Sequence, residues 1–318
     1  KILGLAAYGN PKKAYNDIKN LIGYDRKNKN FIGYYEKGVY QAQYNNNNLR
    51  YLLKKFSRED ICAAAQMVLE ETVIQCVKSL SKKKINIALA GGVFANVKLN
   101  QKIMELKNVN NLFIFPNMGD GGLSVGAAAL EFFNSTKKKP ANIEHLYLGS
   151  EYSEKQIIFD LKKYKLNYKK FKNLPFEIAK RLSEGKIIAH FNGRMEFGPR
   201  ALGNRSILCT AERKEINNEL NKKLNRTEFM PFAPIILKKF VKKYFHFSKG
   251  IKNFDYMTMT CKCKKIMTRS SPAAVHIDNT ARPQCVSKKT NERVYKILNE
   301  YYKITGIPVL INTSFNLH

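Results

Sequence analysis

Two short apolar runs in this chain each end in a glycine-rich turn and then pass into a helical pattern. "INIALAGG" at 85–92 leads into "VFANVKLNQKIMEL", and "NLFIFP", ending at Pro116, leads through "NMGDGG" into "LSVGAAALEFF". A short apolar run bounded by glycines reads as a buried parallel strand. Its repetition as strand–helix–strand–helix restricts the chain to an α/β layered domain. The second half alternates again. Strands are predicted at 186–191, 205–210, 232–237, 273–277 and 308–312, with helices at 212–224 and 291–305. Upstream, Ser57 followed three residues later by Asp60 opens a helix that runs to about Leu80, and Lys82–Lys84 closes it. Residues 1–56 read as loop-rich, and no internal repeat is visible.

The polar, proline-containing stretch "NSTKKKPAN" at 134–142 reads as a linker. It divides the 318 residues into two domains, 1–138 and 139–318, a number that fits the length. The chain begins at Lys1 without a Met and halts at His318 just after a strand-like run. Both ends read as cuts in a longer protein.

Charge comes next because it offers a tempting partner. The sequence carries 56 Lys and Arg against 25 Asp and Glu, a formal net charge of +31. Such an excess fits nucleic acid or an anionic membrane surface. Most of it is Lys scattered along the chain beside abundant Asn, which is a compositional bias rather than a patch. There is no apolar run of membrane-spanning length and no signal-peptide pattern. The six Cys, at 62, 76, 209, 261, 263 and 285, include no C-x-x-C pair. That argues against zinc and fits thiols in a reducing cytoplasm.

Several stretches carry residue types suited to chemistry. Gly91 and Gly92 follow a strand and precede a helix, so the backbone can approach a nucleotide phosphate there, or simply turn. Asp120 sits between glycines at a strand end, where it suits a metal, a ribose hydroxyl or a helix cap. "FNGRMEFGPRALGNRS" at 191–206 places Arg194, Arg200 and Arg205 on a glycine-bent loop. Arginine stands there in a chain that elsewhere prefers lysine. Its planar fork favours bidentate capture of an oxyanion over simple solvation. Arg226 precedes an apolar strand, and His276, Asp278 and Arg282 cluster in "HIDNTARPQCV". Asn312, Thr313, Ser314 and Asn316 end the last strand, as hydrogen-bonding groups for a small planar ligand or as caps.

Those same stretches carry a resemblance. "GRMEFGPRALGNRSI", "FMPFAP", "VHIDNTARPQ" and "PVLINTSFN" resemble C-terminal motifs of the NodU/CmcH carbamoyltransferases. "GLAAYGNP", "AGGVFANVKLN" and "GDGGLSVGAA" resemble that family's preceding domain, in the right order from residue 1 to 318. The resemblance implies an α/β protein: the C-terminal part of an actin/hexokinase-type (ASKHA, Kae-like) ATP-binding domain, then a YrdC-like domain truncated at its end. It implies carbamoyl phosphate and ATP as substrates, carbamoyladenylate as intermediate, and a hydroxyl of a sugar or natural product as acceptor.

Carried over residue by residue, Arg200, Arg205, Arg226, Arg282, Asn312, Ser314 and Asn316 would hold carbamoyl phosphate or the adenylate. Arg282, Ser314 and His276 would act in catalysis. Gly91, Gly92, Asn96 and Gly121 would face the nucleotide, and Asp120 would bind a divalent metal, iron by resemblance. One departure stands out. The family's H-x-x-x-H metal pair is absent from this sequence, whose five His are at 145, 190, 246, 276 and 318. The resemblance therefore implies a cytoplasmic transferase acting on small molecules, with no membrane and no nucleic acid among its partners and with self-association open. The tRNA threonylcarbamoyladenosine proteins, built from related modules, are the competing reading.

Overall fold

The computed structural model describes residues 2–33, 47–225, 232–247 and 251–315. It is a mixed α/β structure that divides into two compact units. Among the described residues, the first unit takes in 2–33, 47–88 and 96–113, and the second takes in 89–95, 114–225, 232–247 and 251–315.

The first unit opens with α1 (Ile2–Ala6) and α2 (Pro11–Lys19), then a hairpin of β1 (Ile22–Asp25) and β2 (Asn30–Gly33). α3 (Asn47–Lys55) leads to the long α4 (Arg58–Leu80). Residues 1–56 thus hold more regular structure than the loop-rich reading allowed. The reason is local. Asn10 caps α2 by accepting from the Lys12 N–H at 3.1 Å, and Pro11 sits at the first turn. Ala14 and Ile18, four apart, then bury against Ala64 and Val68 of α4. Gly9 makes this crossing possible, since a Cβ there would lie 2.0 Å from the Glu59 carbonyl oxygen. The predicted α4 is present, with the Ser57 hydroxyl accepting from the Asp60 N–H at 3.1 Å.

β3 (Ile85–Leu89) pairs with β4 (Val109–Ile114), with α5 (Val97–Met104) between them in the chain. The Ile85 N–H donates to the Asn108 carbonyl, and the Phe115 N–H to the Leu89 carbonyl, so the strands run in the same direction. β3 is not the wholly buried strand expected. Its side chains alternate between half-covered and exposed, with only Leu89 buried. The helix expected from Val93 begins as a tight 3₁₀ turn at Gly92–Ala95 and becomes α-helical at Val97.

The second unit contains α6 (Leu123–Thr136), none of whose residues is buried. No regular element follows until α7 (Glu154–Lys163) and α8 (Leu174–Ser183). β5 (Ile188–Phe191), β6 (Arg205–Thr210), α9 (Ile216–Lys223) and β7 (Ala233–Leu237) come next. Then follow α10 (Val241–Tyr244), β8 (Phe245–His246), β9 (Cys261–Cys263), α11 (Lys265–Ser270), β10 (Thr280–Ala281), β11 (Gln284–Val286), α12 (Glu292–Thr305) and β12 (Val309–Ser314).

Five strands form a sheet in the order β11-β7-β12-β6-β5, antiparallel except for β11 beside β7. α8 and α12 pack together on one face. Ile178 and Leu182 of α8 and Ile297, Leu298 and Tyr301 of α12 close over Leu208, Ile235 and Leu310 of the strands. Full burial of each such side chain contributes about 1.5–3 kcal/mol. The strand expected at 273–277 is absent. Pro272–Ala274 is a 3₁₀ turn, and its apolar residues are apolar because Ala273 and Ala274 are buried, not because they form a strand. Among the described residues, no helix is long and apolar enough to cross a membrane.

Candidate functional site

The 13-residue connection between β5 and β6 is the arginine-bearing loop. Its shape starts from three glycines at positive φ: Gly193 (50°), Gly198 (106°) and Gly203 (109°). Gly203 is doubly constrained, because a Cβ there would also stand 2.7 Å from Cγ2 of Val294 on α12. A buried carboxylate organises the turn. Glu196 is 8% exposed, and its Oε1 accepts from the N–H groups of Leu202 (2.8 Å), Asn204 (2.7 Å) and Arg205 (3.2 Å).

The loop carbonyls are fixed as thoroughly. Ala201 O accepts from Asn312 Nδ2 at 2.9 Å, and Leu202 O from Gln284 Nε2 at 2.7 Å and the Tyr147 hydroxyl at 2.9 Å. Gly203 O lies 2.5 Å from His190 Nδ1. Asn204 is held through its side chain by Asn291, the cap of α12. His190 is buried, and desolvation lowers its pKa, with the bond to Gly203 opposing and the Arg293 charge assisting.

On this frame the arginines differ. Arg205 is spent on the loop itself. Its guanidinium donates to the carbonyls of Asn192, Asn204, Gly193 and Ser150 at 2.8–3.2 Å and lies 3.6 Å from the centre of the Phe191 ring. Arg194 is exposed and pairs with Glu151 at 3.5 Å. Arg200 is half-buried, with one long bond from Nη2 to the Ala95 carbonyl at 3.5 Å. Among the described residues, its Nε is buried with no hydrogen-bond partner and no carboxylate pairs with it. Desolvation is the sole cause acting on its pKa, which it lowers. The guanidinium keeps its charge all the same. A half-buried cation with spare donors is the arrangement an oxyanion would complete.

The glycine turns belong to the same unit. The Gly91 N–H donates to Met118 O at 2.6 Å, which joins the turn after β3 to that after β4. A Cβ on Gly198 would lie 3.4 Å from the Asn117 Cβ, so the bend before Arg200 rests on the second of these turns. Gly91, Gly92, Gly121 and Arg200 therefore fall in one neighbourhood. The Asn96 side chain is otherwise engaged. It belongs to the first unit, caps α5 through Leu99 N–H, and exchanges hydrogen bonds with the Gln66 amide.

Asp120 is exposed, and no side-chain cap opens the turn or the helix it precedes. Among the described residues, no three His, Cys, Asp or Glu side chains gather to hold a metal ion. Asp120 alone does not make a metal site.

His276 Nδ1 meets Asp278 Oδ1 at 3.1 Å, and that oxygen also accepts from the N–H and hydroxyl of Thr280. This is a tight turn built on Asp278. Arg282 is half-buried between β10 and β11. Asn312 is 2% exposed beneath the arginine loop, and its buried Oδ1 has no hydrogen-bond partner among the described residues. Ser314 ends β12, in register with Ser206. Arg226 and Asn316 lie outside the described residues.

Glu196, His190, Gln284 and Asn291 are the members of this site that sequence reasoning missed. Glu196 had a signal, as an acid flanked by Met195 and Phe197 in a chain poor in acids. The others had none, because their partners lie at least 13 residues away.

A mixed α/β unit with a rigid, cationic loop at one end of its sheet fits a domain that binds small anions. Comparison with known proteins specifies the class. Residues 1–129 match the family model "Carbamoyltransferase N-terminus", and residues 179–318 match "Carbamoyltransferase C-terminus". The chain belongs to the carbamoyltransferase family. It is 36% identical to an uncharacterized protein of Methanocaldococcus jannaschii, with 100% of this chain and 53% of that protein aligned. It is 31% identical to Nodulation protein NolO of Bradyrhizobium diazoefficiens, over 99% of this chain and 59% of that protein. Nodulation protein U of Sinorhizobium fredii is 32% identical, over 82% of this chain and 46% of that protein. The chain spans about half the length of the curated relatives it matches.

Proposed function

We propose that this chain carries the carbamoyl phosphate site of an ATP-dependent O-carbamoyltransferase, with Arg200 as the receptor of the phosphate. The observation that carries the reading is the Arg200 guanidinium, with a buried and unpartnered Nε and no carboxylate pairing among the described residues. A phosphate dianion would take two or three of its N–H groups in short, charge-assisted bonds. Arg282, Arg226, Ser314 and Asn316 would complete the oxyanion and adenylate contacts, and Asn312 would lie beneath them. Arg205 would serve by shaping the loop rather than by touching substrate. His276 would act through the Asp278 turn.

In the reaction proposed, water hydrolyses carbamoyl phosphate to carbamate and phosphate, and a carbamate oxygen then attacks the α-phosphorus of ATP with loss of pyrophosphate. The hydroxyl oxygen of a sugar or natural-product acceptor then attacks the carbamoyl carbon, and AMP leaves. Fixed cationic donors around the developing charge would supply much of the rate enhancement. Gly91, Gly92 and Gly121 present backbone that can approach a nucleotide closely. The fold assignments that go with this reading, Kae-like for the first part and YrdC-like for the second, belong to the proposal. So do a metal at Asp120, iron by resemblance and with further ligands from outside this chain, and a cytoplasmic setting.

Calorimetry with carbamoyl phosphate tests the reading on this chain. Saturable binding is expected, weakened at least tenfold in Arg200→Ala, the scale of a lost charge-assisted contact. Binding that Arg200→Ala leaves intact would remove Arg200 from the site. In the longer gene product, pyrophosphate release from ATP that depends on carbamoyl phosphate is the corresponding activity.

A further inference from the structure

Arg200 makes one long hydrogen bond of its own, yet it sits in a loop with hardly a free backbone group on its C-terminal side. The amide bonds of 202, 204 and 205 all converge on one oxygen, Oε1 of Glu196. Phe197, the next residue, donates its N–H to Leu146 O at 2.6 Å, so the carboxylate is itself anchored to a second segment. Between the two anchors stand Gly198, Pro199, Arg200 and Ala201. Three backbone donors on a single buried carboxylate oxygen make an inverted cap, in which the side chain fixes the peptide planes and the peptide planes fix the next Cα–Cβ bond. A guanidinium at the end of a long flexible stem gains affinity for a dianion when that stem is held before the ligand arrives, because less freedom is lost on binding.

We infer that Glu196 is a positioning residue for the anion site: through the amides of Leu202, Asn204 and Arg205 it holds the loop so that Arg200 meets its ligand preformed. The inference rests on the reading of Arg200 as an anion receptor. Glu196 does not touch the ligand, since its charge would oppose a phosphate and its Oε1 is already committed to three N–H groups. The same carboxylate leaves Arg205 free to use its guanidinium on carbonyls, so the loop holds an acid and a base that never pair with each other.

The test is a double-mutant cycle on this chain, read by calorimetric affinity for carbamoyl phosphate, with thermal melts to confirm folding. Glu196→Asp keeps the charge but is one methylene too short to reach all three amides. It is expected to weaken binding about tenfold, and Arg200→Lys to weaken it by a similar factor through loss of the planar fork. If Glu196 acts through Arg200, the double variant is also about tenfold weaker, not a hundredfold. A hundredfold, additive loss would overturn the inference, as would a Glu196→Asp variant that binds like the parent. Glu196→Gln keeps an acceptor of the right length and is expected to restore most of the affinity. Failure of the unsubstituted chain to bind carbamoyl phosphate would overturn the Arg200 reading first, and this inference with it. Binding that survives every substitution at Glu196 would overturn this inference alone.

Discussion

The arginine loop at 192–205 and the turn at 117–122 are both glycine-rich, and both follow a strand, yet they keep their shapes by different physics. The loop is held by polar pins. One carboxylate oxygen takes three amides, and side chains from β5, β11, β12 and the cap of α12 take the carbonyls or the Asn204 amide. The turn is held by close packing. A Cβ on Gly122 would lie 2.2 Å from Asn117 O and 2.9 Å from the Phe115 ring, and one on Gly121 would lie 2.7 Å from Asn117 Nδ2. The polar pins leave a charged side chain, Arg200, with donors to spare. The packed turn leaves an exposed Asp120 that makes no cap. A loop can thus be rigid because its hydrogen bonds are satisfied or because nothing larger than hydrogen fits, and the two kinds respond to different substitutions.

The largest difference should appear on truncating the pin. Glu196→Ala leaves three amide N–H groups without their acceptor in a buried place, a loss of roughly 3–5 kcal/mol, seen as a drop in denaturation midpoint with unchanged m-value. Gly122→Ala should come next, at about 2–3 kcal/mol, because backbone rather than a flexible side-chain end is in the way. If Gly122→Ala were neutral while Glu196→Ala was severe, the packed turn would be softer than the pinned loop. Gly203→Ala sharpens the comparison, since that position combines φ of 109° with the Val294 contact. About 2 kcal/mol is expected, with part recovered by Val294→Ala.

A pH series separates them further. His190 has its pKa lowered by burial below the ordinary 6.5, so it takes up its proton at lower pH in the folded chain than in the unfolded one. Its contribution is fully present above pH 6.5 and is lost as pH falls from there through the folded value, by at most about 1.4 kcal/mol per unit. Melting temperature between pH 7 and 5 should fall less steeply in His190→Gln than in the parent; equal slopes would mean another group titrates. The smallest effect belongs to the turn. Asp120→Asn should change stability by less than about 0.5 kcal/mol, because the side chain is exposed and caps nothing. In the longer gene product the same substitution, with metal content measured by elemental analysis, tests the proposed ligand role.

Legibility in the sequence followed the range of the interactions. α4 with its Ser57 cap, α6, α12 and the strands at 188–191, 205–210, 233–237 and 309–314 were readable, because period and capping are local properties. α2 was missed although its cap and proline are also local, since Asn and Lys are so common here that one more Asn carries little signal. The false strand at 273–277 shows the converse: a short apolar run records burial, and burial alone does not choose strand over turn.

The candidate site divides in the same way. The arginine loop, its glycines and the two glycine turns stood out in the sequence, because arginine in a lysine-rich chain and glycine at turns mark themselves. Their assignment to different tasks did not. Arg200 and Arg205 are five residues apart and chemically identical. Only the tertiary structure decides that one turns its fork onto four backbone carbonyls and the Phe191 ring, while the other is left in a desolvated place with a single long bond. The sequence determined which groups this protein has and where the chain can bend. Which of those groups stays unpaired depends on partners at 284, 291 and 312, brought beside the loop by sheet order and by α12. Long-range contacts of that kind leave no periodic trace in a sequence, because nothing in the local chemistry of a residue says which distant donor or acceptor will reach it.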